Sequence, residues 1–173
     1  EAMNGTTGFD SQQDQGSTFW FTVVCRRHPL NVSEALPTAL LQQKTVLYIE
    51  PQMFSREATL SLLNSWGMQV AACATASQLQ LALQQNPHFD MAIVGRAVSL
   101  DQVNQLMELI RQLSQSCQHI YLLVNTLSPN LREALLQTGA SACLSNPDHQ
   151  RKLATALARP YLRQQLQLQP APT

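Results

Sequence analysis

The chain has 173 residues, of which 45% are hydrophobic and 13% are charged. This length suits one ordinary domain with extensions and is short for two, and the apolar content is enough for a normal core. Lys and Arg number 11, as do Asp and Glu, so no broad field steers the protein toward nucleic acid or an anionic membrane. No apolar run reaches membrane-spanning length, and the first residues lack the pattern of a secretory signal.

The four cysteines are Cys25, Cys73, Cys117 and Cys143, and no two have CxxC spacing. Two of them fall inside predicted buried strands. We therefore expect reduced, packed thiols of a cytosolic protein. Cys117 and His119 are the only close pair of potential metal ligands, and one such pair does not predict a zinc site.

The first 43 residues divide into two predicted segments. Residues 1–25 predict two strands, Thr7 to Ser11 and Thr18 to Val24, joined by a polar turn. Because the chain begins within this strand-forming region, we expect it to be a piece of a longer protein. Residues 26–43 predict a linker that contains at most one short helix.

Five short apolar runs follow within residues 44–162. A run without polar alternation is typical of a strand that is buried on both faces of a parallel sheet. The runs are Val46–Ile49, Val70–Cys73, Met91–Val94, Ile120–Val124 and Ala142–Leu144.

The segments between and after these runs have helical spacing. Gly67 is placed to end the first helix, and Gly139 to end the fourth. Ser128 and Pro129 are an N-cap and a first-turn proline for the fourth helix. We predict that the fifth helix ends at Pro160. Capping boxes are predicted for the second and third helices, at Ser77 with Gln80 and at Ser99 with Gln102.

Five such β–α units predict an α/β fold, a doubly wound five-stranded parallel sheet with an N-terminal β-hairpin extension. Residues 163–173 are rich in Gln and Pro and predict a flexible tail. A sheet of this kind binds ligands at the carboxyl ends of its strands. Function is therefore sought at that edge.

The central region resembles the receiver domain of two-component signalling, over about the middle two-thirds of the chain. The resemblance is carried by the order of strands and helices, by Phe89 and Asp90 opening the third apolar strand, and by the stretch from Gly139 to Asn146 and Pro147. The alternative is an unrelated flavodoxin-like domain in which Gly95 is an ordinary turn residue. A dinucleotide-binding sheet is disfavoured because no GxGxxG follows the first of these strands.

The resemblance implies four features at the carboxyl edge. Receivers carry an acidic pair after the first strand, an acceptor Asp after the third, a Ser or Thr after the fourth and a Lys before Pro after the fifth. Mg²⁺ requires hard oxygen ligands, and phosphoryl transfer requires a carboxylate nucleophile and a cation to neutralise developing charge. In this chain the four features fall, in order, on Glu50 with Pro51, on Gly95, on Val124 or Asn125, and on Asn146.

These positions do not keep the set of side chains that phosphoryl transfer requires. Gly95 has no side chain to accept a phosphoryl group, and Glu50 alone is a poor magnesium site. The resemblance therefore implies a pseudo-receiver, a receiver fold without phosphorylation, with no catalytic residues, no cofactor and no metal. We predict that it is not an enzyme, although its parent would be an ATP-dependent histidine kinase.

The stretch from Gly16 to Phe21, with the sequence GSTFWF, resembles the closing hairpin of a histidine-kinase ATP-binding domain. The nucleotide-binding glycine boxes of that family are absent from the sequence, so we expect no ATP binding. Together the two resemblances imply part of a bacterial hybrid sensor histidine kinase. Its segments would be the end of the kinase core (1–25), a linker (26–43), the pseudo-receiver (44–162) and a tail (163–173).

We expect a regulatory module of two-component signalling that acts through interdomain or protein–protein contacts. A possible interaction face combines the fourth helix, the fifth strand and the fifth helix, with the basic residues Arg132, Arg151, Lys152, Arg159 and Arg163. A solvated helix face is the alternative interpretation of these charges. A second functional hypothesis is a degenerate receiver that senses a small molecule or nucleotide.

The expected partners are other domains of the same histidine kinase or a partner kinase. A homodimer is left open, and neither nucleic acid nor direct membrane contact is expected. We expect a cytoplasmic location, with the parent anchored in the inner membrane by another segment.

Overall fold

The computed structural model describes residues 6–12, 16–24, 36–95, 103–124, 128–145 and 150–167. The chain divides into two compact units, Glu1–Ala35 and Leu36–Thr173, and each is described by itself. Within the described residues, no helix is both long enough and apolar enough to cross a membrane.

The first unit contains an antiparallel hairpin of β1 (Thr7–Gln12) and β2 (Gly16–Phe21). Phe9 lies opposite Phe19, and their rings stack with centroids 6.0 Å apart. The hairpin was predicted, although β2 ends three residues before the expected Val24. Phe9, Phe19 and Phe21 remain 68%, 78% and 74% exposed, so the hairpin does not bury its own aromatic face.

The second unit is built on a parallel sheet with the order β4-β3-β5-β6-β7. All five predicted strands are confirmed, and the doubly wound α/β prediction with them. The strands are β3 (Thr45–Ile49), β4 (Gln69–Cys73), β5 (Phe89–Val94), β6 (Cys117–Val124) and β7 (Ala142–Ser145).

Five helices cover the two faces of this sheet. They are α1 (Met53–Ser65), α2 (Ala76–Gln85), α3 (Val103–Leu113), α4 (Pro129–Thr138) and α5 (Gln150–Gln167). Leu79, Leu106 and Leu135 from α2, α3 and α4 share one core cluster. Leu63 from α1 and Leu157 from α5 share the other. The apolar runs are unbroken because each strand packs against helices on both sides.

Three predicted helix ends are confirmed, at Gly67, Ser128 and Gly139, and two are wrong, at Ser77 and Pro160. The Ser128 side chain accepts a hydrogen bond from the Leu131 N–H at 3.3 Å, and Gly139 ends α4 with a φ of 128°. For α2, however, the N-cap is Thr75, whose hydroxyl accepts from the Gln78 N–H. The predicted cap, Ser77, is an exposed residue inside the helix, because the helix begins at Ala76. The predicted box at Ser99 and Gln102 lies outside the described residues.

The fifth helix does not end at Pro160, as was predicted, but continues to Gln167. Proline removes one backbone donor and does not prevent a helical φ. The buried side chains of Leu157, Ala158 and Tyr161 lie on both sides of Pro160 and hold the helix against the sheet. Residues 163–167, assigned to a flexible tail, are therefore helical.

The described part of the predicted linker, residues 36–43, packs into the second unit. Pro37–Leu41 forms a 3₁₀ helix that contacts α5, and the Leu41 side chain is completely buried. The Gln43 N–H donates to the Gly67 carbonyl at 2.8 Å. Packing against α5 thus gives this segment a fixed place that its sequence did not indicate.

Candidate functional site

The carboxyl edge of the sheet brings Glu50 and Gly95 side by side. Ile49 pairs with Val94 in the register of β3 and β5. Glu50 directly follows Ile49, and Gly95 directly follows Val94. The Gly95 N–H donates to the Ile49 carbonyl at 2.7 Å. The first and second of the four predicted features of the carboxyl edge are therefore neighbours.

Of the charged residues that the structure describes, only Glu50 is buried, with 1% of its surface exposed. Its backbone N–H donates to the Cys73 carbonyl at 3.0 Å. Its Oε1 accepts a hydrogen bond from the Gln52 N–H at 2.9 Å. A buried carboxylate requires such donors, because burial removes it from water. The loop after β3 thus folds back to hold this side chain in the site.

The Glu50 carboxylate fills the space in front of Gly95. A Cβ atom built on Gly95 would overlap Oε2 of Glu50 and would lie 2.7 Å from Cδ and 3.0 Å from Cβ of the same side chain. Real Cβ contacts are longer than this. A side chain at this position would therefore require the end of the Glu50 side chain to move.

Arg56 of α1 holds the loop that carries Glu50 and Pro51. Its Nη1 donates to the Glu50 carbonyl at 2.9 Å and to the Pro51 carbonyl at 3.0 Å. The sequence did not single out Arg56. It lies six residues after Glu50, and that spacing does not predict how the loop between them turns. The structure therefore places one cation beside the loop that carries Glu50 and Pro51.

The remaining predicted positions are only partly described. Val124, the last residue of β6, is buried and lies two residues beyond Leu122, the register partner of Val94. Its side chain has no hydroxyl to contact a phosphoryl group. Asn125 and Asn146 lie outside the described residues. In the described ranges, no group of three or more His, Cys, Asp and Glu is arranged to hold a metal ion.

Asp90 lies near the start of β5, at the opposite end of that strand from Glu50. Its Oδ2 accepts from the Thr45 N–H at 2.8 Å and from the Thr45 hydroxyl at 2.9 Å, and its Oδ1 lies 3.8 Å from Nζ of Lys44. Burial lowers the pKa of nearby His119, and Asp90 opposes that shift. These contacts give Asp90 a structural role in joining β5 to the start of β3.

The thiols of Cys73, Cys117 and Cys143 are free and buried. Burial raises the pKa of each, that of Cys117 to about 11. A protonated, buried thiol is a poor nucleophile and a poor metal ligand. Packing is therefore their role, as the sequence predicted. Cys25 lies outside the described residues.

Four basic residues of the predicted interaction face line one open cavity of the structure. A space of about 430 Å³ lies between α4, β7 and α5, and its lining includes Arg132, Arg151, Lys152 and Arg159. All four residues are exposed. The Arg132 guanidinium donates from Nη2 to the Cys143 carbonyl at 3.2 Å. The structure thus brings together cations from two helices that are separate in the sequence.

The sheet order and the two helical layers define a receiver-type fold. Solved receiver structures share this fold. A Vibrio cholerae chemotaxis protein, CheY4, superposes with a TM-score of 0.56 over 68% of this chain and 98% of its own, at 21% identity. A CheY-like receiver domain from Methanospirillum hungatei gives 0.57 over 73% of this chain and 99% of its own, at 19% identity.

The sequence is similar to one particular kind of two-component protein, the signal transduction histidine-protein kinase BarA. The Escherichia coli K12 protein is 30% identical over 156 residues, which are 90% of this chain and 16% of that kinase. The Shigella flexneri protein is 29% identical over the same length. The chain thus spans about a sixth of the length of these relatives. No protein-family model matches the chain.

Proposed function

We propose that the chain is a non-phosphorylatable receiver-type module of a hybrid sensor histidine kinase. It regulates signalling through contacts with other domains of that kinase. The similarity to BarA supports the kinase context, and the receiver fold supports the type of module. The GSTFWF hairpin is proposed to be the end of the kinase core that precedes it. The proposed domain limits are those of the sequence analysis, except that residues 36–43 belong to the second unit and α5 extends to Gln167.

One observation carries the loss of phosphorylation: the buried carboxylate of Glu50 occupies the space that an acceptor at Gly95 would need. Pro51 supplies no second acid, and Val124 supplies no hydroxyl. Phosphoryl transfer depends on positioned charges around the transferring group. With the acceptor replaced and its space filled, the module has nothing to phosphorylate at this edge, and its output must come from its surface.

The test is to incubate the ¹⁵N-labelled chain with Mg²⁺ and acetyl phosphate, and separately with Mg²⁺ and beryllofluoride. The expected result is no gain of a phosphoryl group by mass spectrometry and no saturable movement of the Glu50 and Gly95 amide signals. A phosphorylatable receiver treated in parallel serves as the positive control. Saturable shifts at Glu50 and Gly95 would refute the proposal.

The regulatory part is tested in the full kinase that contains this chain. Removal of residues 44–162 is expected to change the rate of kinase autophosphorylation. An unchanged rate, in a variant that remains folded by circular dichroism, would contradict a regulatory role and leave the question of phosphorylation to the first test.

A further inference from the structure

Residues 36–44, which we call the latch, dock the chain on α5 just before it enters the parallel sheet. The 3₁₀ helix of the latch contacts α5, and its Leu41 side chain is completely buried. Leu36 and Leu40 pack against the same core cluster, to which Tyr161 of α5 belongs. Because the first unit directly precedes the latch in the chain, these contacts set how much chain joins the two units.

Lys44 fastens the latch where it meets β3. Its Nζ lies 4.3 Å from the centroid of the Tyr161 ring and 3.8 Å from Oδ1 of Asp90. An ammonium group over an aromatic face is attracted by the electron density of the ring. The pair with Asp90 adds an attraction that salt weakens. One side chain thus ties the latch to a helix and to a strand that are distant in the sequence.

The docked latch carries two local costs. Gln43 has a φ of 63°, a left-handed conformation that only glycines share with it among the described residues, and a Cβ atom makes this conformation unfavourable. The Tyr161 hydroxyl is buried and has no hydrogen-bond partner in the described part of the chain, which costs free energy because water is excluded from it. Release of the latch would relieve the strain at Gln43 and would open Tyr161 to water. The docked state is therefore only locally favoured.

We propose that the latch has a docked and a released state, and that its release regulates the kinase by lengthening the tether between the two units. The inference rests on the proposed function, in which the hairpin unit is the end of the kinase core. Docking holds residues 36–43 out of the tether. A stretch of this length spans at most about 26–29 Å. The effective concentration of two joined units depends on the length of chain between them, so release weakens their mutual contacts.

The first test is amide hydrogen exchange of the whole ¹⁵N-labelled chain. The Gln43 and Lys44 N–H groups donate to the carbonyls of Gly67 and Leu41, so their exchange reports release of the latch. Both should exchange more than about tenfold faster than the Leu47 amide in the middle of β3, through a local opening that urea hardly accelerates. Equal rates with equal urea dependence would show that the latch opens only with the whole domain and would overturn the proposal.

Leu41→Ala is expected to accelerate exchange of the latch amides about tenfold, because the contacts of a fully buried side chain are lost. Ala39→Ser is the matched control, since Ala39 is exposed in the same 3₁₀ helix, and it should leave the rates unchanged. Lys44→Gln should also accelerate exchange and should reduce its dependence on salt. If both Leu41→Ala and Lys44→Gln accelerate the Leu47 amide as much as the latch amides, the latch has no separate released state.

The regulatory effect is measured as the autophosphorylation rate of the full kinase that contains this chain. Leu41→Ala is expected to change the rate by about twofold or more. Deletion of residues 28–35 in the same variant should restore the parent rate, since this segment has the length of the released one. An unchanged rate in Leu41→Ala would refute regulation by the latch. A changed rate that the deletion does not restore would refute tether length as the cause.

These outcomes are distinct from those that test the proposed function. Movement of the Glu50 and Gly95 signals with beryllofluoride would end the pseudo-receiver proposal and leave the latch untouched. If removal of residues 44–162 changes the autophosphorylation rate and Leu41→Ala does not, only the present inference fails.

Discussion

Glu50 and Gly95 form a complementary pair, one with a large buried side chain and the other with none. The Glu50 carboxylate accepts a hydrogen bond from the Gln52 N–H, and the backbone carbonyl of Glu50 accepts one from Arg56. The Glu50 side chain therefore fills the space beside Gly95, and the packing there is tight.

Replacing Gly95 by Asp should destabilise the protein and should not restore phosphorylation. The new Cβ overlaps the Glu50 carboxyl group, and overpacking of this kind costs about 1–3 kcal/mol. A second carboxylate beside the first adds repulsion. Urea unfolding of Gly95→Asp and of the parent measures the difference in the free energy of unfolding.

The matched variant combines Gly95→Asp with Glu50→Ala. Removing the Glu50 side chain opens the space for the new one, so the double variant should recover part of the loss beyond the sum of the single effects. Strict additivity, or a single Gly95→Asp variant as stable as the parent, would contradict the packing described here.

At the scale of a helix, the local sequence predicts the helix end correctly where it offers only one candidate capping residue. Ser128 and Gly139 bracket α4 as their residue types predict. In α2 the stretch Thr75-Ala76-Ser77-Gln78 offers two candidate caps. Choosing between them requires knowing where β4 ends and how the chain turns after Cys73, which is set by the sheet.

The Thr75→Ala variant should lose about 0.5–2 kcal/mol of stability, because the Gln78 N–H would lose its acceptor. Ser77→Ala is the control. Ser77 is exposed within α2, and alanine is at least as good a helix former, so its stability should match or exceed that of the parent. Chemical denaturation of the two variants distinguishes the caps. A larger loss from Ser77→Ala would return the cap to the predicted position.

Pro160→Ala should stabilise α5 and the protein. Proline inside a helix costs about 3 kcal/mol relative to alanine, and Pro160 lies in the middle of α5. Alanine can supply the missing backbone donor, so we expect a gain of about 1–3 kcal/mol in the free energy of unfolding. Leu162→Ala, at a more exposed site in the same helix, should give no such gain. A loss of stability on replacing Pro160 would show that the proline ring contributes packing.

For the whole molecule, buried thiols make stability depend on alkaline pH. Burial in the folded protein raises the pKa of the Cys117 thiol from 9.0 to about 11. Between these values the unfolded chain ionises the thiol and binds fewer protons than the folded one. Stability is therefore fully present below pH 9 and falls as the pH rises toward 11.

The contribution of Cys117 is about 1.4 kcal/mol per unit of pKa shift. Urea midpoints measured from pH 7 to pH 11 should decline, and the Cys117→Ala variant should decline less steeply, whatever its stability at pH 7. Identical slopes for variant and parent would show that Cys117 ionises equally in both states.

The sequence by itself determined the architecture of the second unit. Five unbroken apolar runs fixed the parallel strands, and helical spacing together with Gly67, Ser128 and Gly139 fixed most of the helix positions. These signals are local, because burial on both faces and backbone conformation at a helix end act through the residues concerned. That Gly95 offers no group to accept a phosphoryl group was also readable, since glycine has no side chain in any fold.

Only the tertiary structure decided the contacts between distant segments. The filling of the Gly95 space by Glu50, the loop clamp by Arg56 and the cation-lined cavity between α4 and α5 each join residues that strand pairing or helix packing brings together. The continuation of α5 past Pro160 and the burial of Leu41 depend on the same packing. Local sequence does not encode these features, because their free energy comes from surfaces that meet only after the sheet has formed.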